Sequence, residues 1–135
     1  MKRFLKIAFV AVAMTICLGA KAQPEGYDVF SPIGKYIMKG DADALSKWFA
    51  DNLEISILTN TADASRAQAR QIVKAFFENY TPRSFSITHT AGRANMKYAL
   101  AFMNAGGEMF MVTIFACSKG EDGYRIQQFK IERAM

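Results

Sequence analysis

The sequence predicts an α+β domain, with short helices gathered ahead of a run of antiparallel strands. Three observations predict it. Before Pro82, most apolar residues recur at helical spacing. After Pro82, they alternate with polar residues or form unbroken strand-length runs. Gly-containing turns then divide those runs at hairpin distances. There is no internal repeat, low-complexity tract or linker, so one domain is expected.

The first element is not part of that domain. Lys2, Arg3 and Lys6 precede an apolar run from Ile7 to Leu18, broken only by Thr15, and Ala20-Lys21-Ala22 follows. A positive stretch, an apolar stretch and small residues in the Ala-x-Ala pattern read as a secretory signal peptide over residues 1–22, cleaved between Ala22 and Gln23. The apolar run is twelve residues long, against the roughly 20 a helix needs to cross a bilayer. Residues 23–135 are then a periplasmic or secreted domain with no membrane span after cleavage.

Cleavage changes the charge and cysteine arguments. The full chain carries a formal charge of +5. Lys2, Arg3, Lys6 and Lys21 leave with the signal, so thirteen of seventeen basic residues face twelve acidic ones, a formal charge of +1. No cluster of Lys and Arg with interleaved aromatics follows Gln23, and no nucleic-acid partner is expected. Cys17 also leaves, so Cys117 stands alone and no internal disulfide can form. A domain of this size must be held by its core.

Along the domain, Ser31-Pro32 reads as an N-cap followed by proline at the first helical position, with Phe30, Ile33, Tyr36 and Ile37 on one face. Gly40 ends that helix as a left-handed cap. Asp41 caps a second, short helix, where Leu45, Trp48 and Phe49 fall on one face. Leu53 to Ile57 alternates as a half-buried strand, and a polar turn follows through Asn60 and Asp63. Ser65-Arg66-Ala67-Gln68 is a capping box. The helix it opens turns Ala69, Ile72, Val73, Phe76 and Tyr80 inward and stops at Pro82.

Four strands are expected beyond it. Ser84 to Thr90 alternates, placing Phe85, Ile87 and His89 on one side. Asn95 to Asn104 and Met109 to Cys117 are joined by Gly106-Gly107, a hairpin signal, and Tyr124 to Arg133 completes the meander. From Met109 to Cys117 only Thr113 is polar, and Tyr98 to Met103 is apolar on both sides. A strand with no polar face is covered on both. Three short helices cover one face, so a homodimer through the sheet is expected. Cys117, within this run, reads as an inert core thiol.

This pattern resembles the NTF2-like (cystatin-like) superfamily. Within it, the chain resembles the exported Bacteroidetes family described as domain of unknown function DUF4783. The resemblance rests on Ile37-x-x-Gly40-Asp41-Ala42-x-x-Leu45-Ser46-x-Trp48-Phe49 and on Leu53-Glu54-Ile55-Ser56-Ile57. It continues through Ala67-Gln68-Ala69, Lys74-x-Phe76-Phe77 and Pro82-x-Ser84-Phe85 to His89. It implies an NTF2-like cone of three N-terminal helices packed on a curved antiparallel sheet, with a pocket between helices and concave face. It implies no chemistry, because fold does not choose among the superfamily's isomerases, dehydratases and binding proteins.

His89 is the only histidine, and histidine is the side chain that titrates near neutral pH. The alternation aims it at the pocket, but no Asp or Glu takes an inward position on the neighbouring strands to orient it. Trp48, Tyr36, Phe76, Tyr98 and Phe102 are the other pocket candidates, as aromatics that pack cores or line apolar pockets. One His and one Cys offer no metal-ligand spacing. No catalytic residue, metal or cofactor is assigned. The expected function is an exported, non-catalytic domain that binds a small apolar ligand or a protein partner. The alternatives are a small isomerase or dehydratase using His89, or a structural dimeric module of the envelope.

Overall fold

The computed structural model describes residues 29–118 and 123–134. The expected signal peptide, its Ala22–Gln23 junction and the turn at 119–122 lie outside the described residues. The chain forms α1 (Phe30–Lys39), α2 (Ala42–Ser46), β1 (Phe49–Ile57), β2 (Asn60–Ser65), α3 (Arg66–Asn79), β3 (Pro82–Arg93), β4 (Met96–Ala105), β5 (Glu108–Ser118) and β6 (Tyr124–Arg133). One curved six-stranded sheet runs in the order β2-β1-β6-β5-β4-β3. β3 to β6 form the expected antiparallel meander. β1 lies parallel to β6, so the whole sheet is mixed, not antiparallel throughout.

Local signals set the helix ends. α1 begins two residues earlier than Ser31 would place it: Val29 is the N-cap, with helical φ −73° and ψ −19° and no side-chain cap hydrogen bond. Pro32 still falls in the first turn, where no N–H is needed for the helix ladder. At the other end Gly40 has φ 65°, and its N–H and that of Asp41 donate to Ile37 O and Tyr36 O. This is the Schellman pattern, which a residue free to adopt positive φ makes without strain. Asp41 Oδ1 accepts from Ala44 N at 3.0 Å and caps α2. The capping box is complete, with Gln68 N donating to Ser65 Oγ and Ser65 N to Gln68 Oε1.

Two expectations are corrected between α2 and α3. The second helix stops at Ser46, and Phe49 opens β1 instead of extending a helical face; its ring meets Phe129 at 6.0 Å. The stretch read as a polar turn is β2, paired antiparallel with β1 from Asn60 to Ser65. Only α1 and α2 therefore precede the sheet, and α3 follows a hairpin.

All three helices lie on one side. The inward residues of β4 and β5, Ala99, Ala101, Met103, Phe110, Val112 and Ile114, are completely buried beneath them. α1 approaches β3 so closely at Gly34 that a Cβ there would stand 3.0 Å from the Phe85 ring. Among the described residues, no helix lies on the opposite, outer face.

Candidate functional site

The helix-facing side is largely filled. The Phe76 ring stacks on Tyr80 at 4.9 Å and meets Phe110 edge-on at 5.3 Å, with Phe77 at 6.1 Å. Aromatic pairs at such spacings add to the energy of simple burial. Beside this cluster, an apolar cavity of about 350 Å³ remains between α3 and the β1–β2 hairpin. Ile55 and Ile57 of β1, Leu58 of the turn, and Ile72 and Phe76 of α3 form its walls.

The six pocket candidates do not gather in one place. Phe76 lines this cavity. Tyr36 and Trp48 are half-buried and pack against the core from α1 and from the link into β1. The backbone carbonyl of Trp48 accepts from Ile126 N at 2.7 Å, anchoring that link to β6. Tyr98 and Phe102 belong to the outer face, opposite Phe115 and Met111 of β5.

His89 sits on the outer face too. Ile87 pairs with Ala101 and His89 with Leu100, so Thr88 is an extra residue in the ladder. The bulge reverses the alternation: Phe85 and Ile87 point to the helix side, His89 away from it. Thr88 Oγ1 donates to Leu100 O at the bulge. His89 is exposed on an edge strand, and no ion pair among the described residues includes it. The bulge has no sequence signature; Thr88 is an ordinary strand residue.

The outer face of β4 and β5 is apolar and is not covered by any helix among the described residues. Tyr98, Leu100, Met111 and Phe115 are half-buried there, while Phe102 is 37% and Met109 46% exposed. Cys117 is a half-buried free thiol on this same face, rather than in the core. Asn104 Oδ1, beside Met109, is buried and has no hydrogen-bond partner among the described residues. Toward β1 the face turns polar: Gln128 donates to Glu54 at 3.2 Å, Ser56 meets Thr61 at 2.9 Å, and Lys130 stands near Glu132.

Charges lie elsewhere on the surface. Arg66 reaches Asp51 at 2.9 Å and Arg70 reaches Asp43 at 3.1 Å, tying α3 to β1 and α2. Arg133 binds Glu108 at 3.0 Å and Tyr80 Oη at 3.1 Å. The hydrogen bond to Glu108, with its negative charge, raises the guanidinium above its ordinary value. No group of three or more His, Cys, Asp or Glu converges among the described residues. No helix among them is long and apolar enough to cross a membrane.

Three helices over the concave side of a curved six-stranded sheet make the NTF2-like, or cystatin-like, fold. Solved structures share that fold. A putative dehydratase of the NTF2-like family from Streptomyces avermitilis superposes with TM-score 0.62 at 12% identity, over 78% of this chain and 91% of that one. A domain of unknown function with a cystatin-like fold from Nostoc punctiforme gives 0.64 at 8% identity, over 78% and 73%. A DUF4783 family protein from Bacteroides uniformis gives 0.76 at 21% identity, over 80% and 99%. The model of the domain of unknown function DUF4783 matches residues 30–132, and the chain belongs to that family. No curated protein matches it.

Proposed function

We propose that this chain is an exported, non-catalytic NTF2-like domain that acts by binding, and that the outer face of its sheet docks a second copy of itself. The supporting observation is the bare apolar surface around Phe102, Met109 and Met111 on strands whose other face is already sealed. Contiguous exposed apolar surface marks interaction sites in soluble proteins. The formal charge of +1 after Gln23 leaves little long-range repulsion between two copies. The export part rests on Lys2 to Ala22, and it places the domain in the periplasm or outside the cell.

A catalytic role for His89 would need an oriented carboxylate and an enclosed site. An exposed edge strand on the uncovered face supplies neither. The small-ligand reading draws instead on the cavity beside α3, which lies on the other side of the sheet.

Light scattering of the purified protein at micromolar concentration is expected to give a dimer, and Phe102→Glu a folded monomer. A wild-type monomer would overturn the docking reading. Intact mass of the exported protein checks the rest: a start other than Gln23 would remove the cleavage reading.

A further inference from the structure

We propose that the cavity between α3 and the β1–β2 hairpin is a binding site for a small, uncharged apolar molecule bearing one hydroxyl or carbonyl group. The inference rests on reading the domain as a binding module, and it adds a site on the side of the sheet opposite the docking face.

Two features of the sequence hold the cavity open. Ala62 of β2 and Ala75 of α3 stand on either side of it, both exposed, and neither can fill the gap between hairpin and helix. The second feature is Leu58. It has φ 59°, the positive-φ non-glycine residue among those described. The left-handed conformation is strained for an L residue other than glycine. The turn's hydrogen bonding does not require leucine, because Leu58 contributes only its backbone N–H, at 2.7 Å from Ile131 O. Glycine would make that bond without strain. What leucine adds is a side chain that lines the cavity and packs on the core. Strain retained beside a hollow is a mark of a functional position.

The lining selects the ligand. Among the described residues, no Asp, Glu, Lys, Arg or His lines the cavity. A charged group entering it would lose water without gaining a partner. The polar side-chain groups near it include two amides, Asn60 from the hairpin and Asn79 from α3. Asn79 Nδ2 already donates to Ala75 O at 3.1 Å, which leaves its carbonyl oxygen to accept from a hydroxyl. A neutral head group fits such a pair, and an anion or cation does not. An apolar cavity of about 150 Å³ holds benzene. At about 350 Å³ this one accommodates a two-ring molecule or a short alkyl chain.

The test is amide NMR titration of the purified protein with 2-naphthol and with its anionic counterpart, 2-naphthoate. The expected result is saturable shifts confined to Ile55–Ala62 and Ile72–Tyr80, with naphthoate at least tenfold weaker. Ala75→Trp and, independently, Ala62→Phe plug the cavity from exposed positions and should each weaken 2-naphthol at least tenfold. Leu58→Gly should weaken it while leaving the melting temperature unchanged or higher. Phe102→Glu should bind it like the wild type. The proposal is overturned by no saturable shift at millimolar 2-naphthol, by shifts centred on β4 and β5, by equal binding of naphthoate, or by unchanged affinity in a folded plugged variant. Light scattering reads the opposite face, so either proposal can fail while the other stands.

Discussion

The two faces of β4 and β5 are equally apolar in sequence and opposite in circumstance. Inward, Ala99, Ala101 and Met103 meet Ile114, Val112 and Phe110, and all six are completely buried. Outward, Tyr98, Leu100 and Phe102 meet Phe115, Thr113 and Met111, and the large side chains stay partly in solvent. Hydrophobicity does not distinguish the faces; size does. Small Ala99 and Ala101 of β4 alternate with larger Ile114 and Val112 of β5 across the inner face, and Phe110 meets the α3 ring of Phe76. On the outer face no helix has to approach, and the residues are large. A packed core needs complementary volumes, whereas a docking face needs area.

The largest test of this contrast is at Phe110. Its ring is buried against Phe76 and Tyr80, and Phe110→Ala leaves a cavity that α3 cannot close. A loss of about 3–5 kcal/mol is expected from urea denaturation, the range for truncating a buried phenylalanine. Met103→Ala follows on the neighbouring strand. Met103 is completely buried opposite Phe85 and Phe110, and about 2–5 kcal/mol should be lost. If either variant unfolds like the wild type, the inner face is not the single core described.

The same contrast separates what the sequence made legible from what it hid. Signals contained in a few consecutive residues are readable: Gly40 at the end of α1, Asp41 at α2, the Ser65–Gln68 box, the Gly106-Gly107 turn, and the alternation of Leu53 to Ile57 in β1. β2 is hidden because Asn60 to Ser65 is mostly polar, its inward apolar residues are only Ala62 and Ala64, and its partner β1 supplies the pairing. The turn before it lacks the usual glycine, having Leu58 instead. His89 was misplaced because one inserted residue at Thr88 reverses every later side chain on β3. Phe49 fits helical spacing with Leu45, but the backbone turns extended at that point to join β6. Of the candidate site, the outer patch was visible as a strand apolar on both sides. The cavity was not, because it depends on which elements the hairpin and α3 bring together.

A smaller effect is expected on the cover rather than on the sheet. Ser65 Oγ and the Gln68 side chain satisfy each other's backbone donors at the start of α3, the helix that carries Phe76 and Phe77 over the inner face. Ser65→Ala removes the cap and should cost about 1 kcal/mol. Ser65→Asp restores an acceptor beside the helix N-terminus and should recover most of that loss. Thermal unfolding of the pair reads the difference. Equal melting temperatures for Ser65→Ala and wild type would mean that tertiary packing alone sets where α3 begins.

The smallest effect on the fold itself, and the sharpest comparison, is at Phe102. It is the immediate neighbour of Met103, on the other side of the same strand. Phe102 is already 37% exposed, so truncating it removes less buried area within one subunit than truncating the fully buried Phe110. Phe102→Ala should cost less than about 1 kcal/mol when unfolding is measured at concentrations low enough to separate the subunits. Its larger consequence lies in association. A dimer that unfolds to separate chains gains stability with protein concentration, so its melting temperature rises as the solution is concentrated. The wild type should show that rise, and Phe102→Ala should flatten it. Met103→Ala should instead lower the melting temperature at every concentration and keep the slope. If the slopes of all three proteins coincide, the outer face does not hold the dimer, however apolar it is.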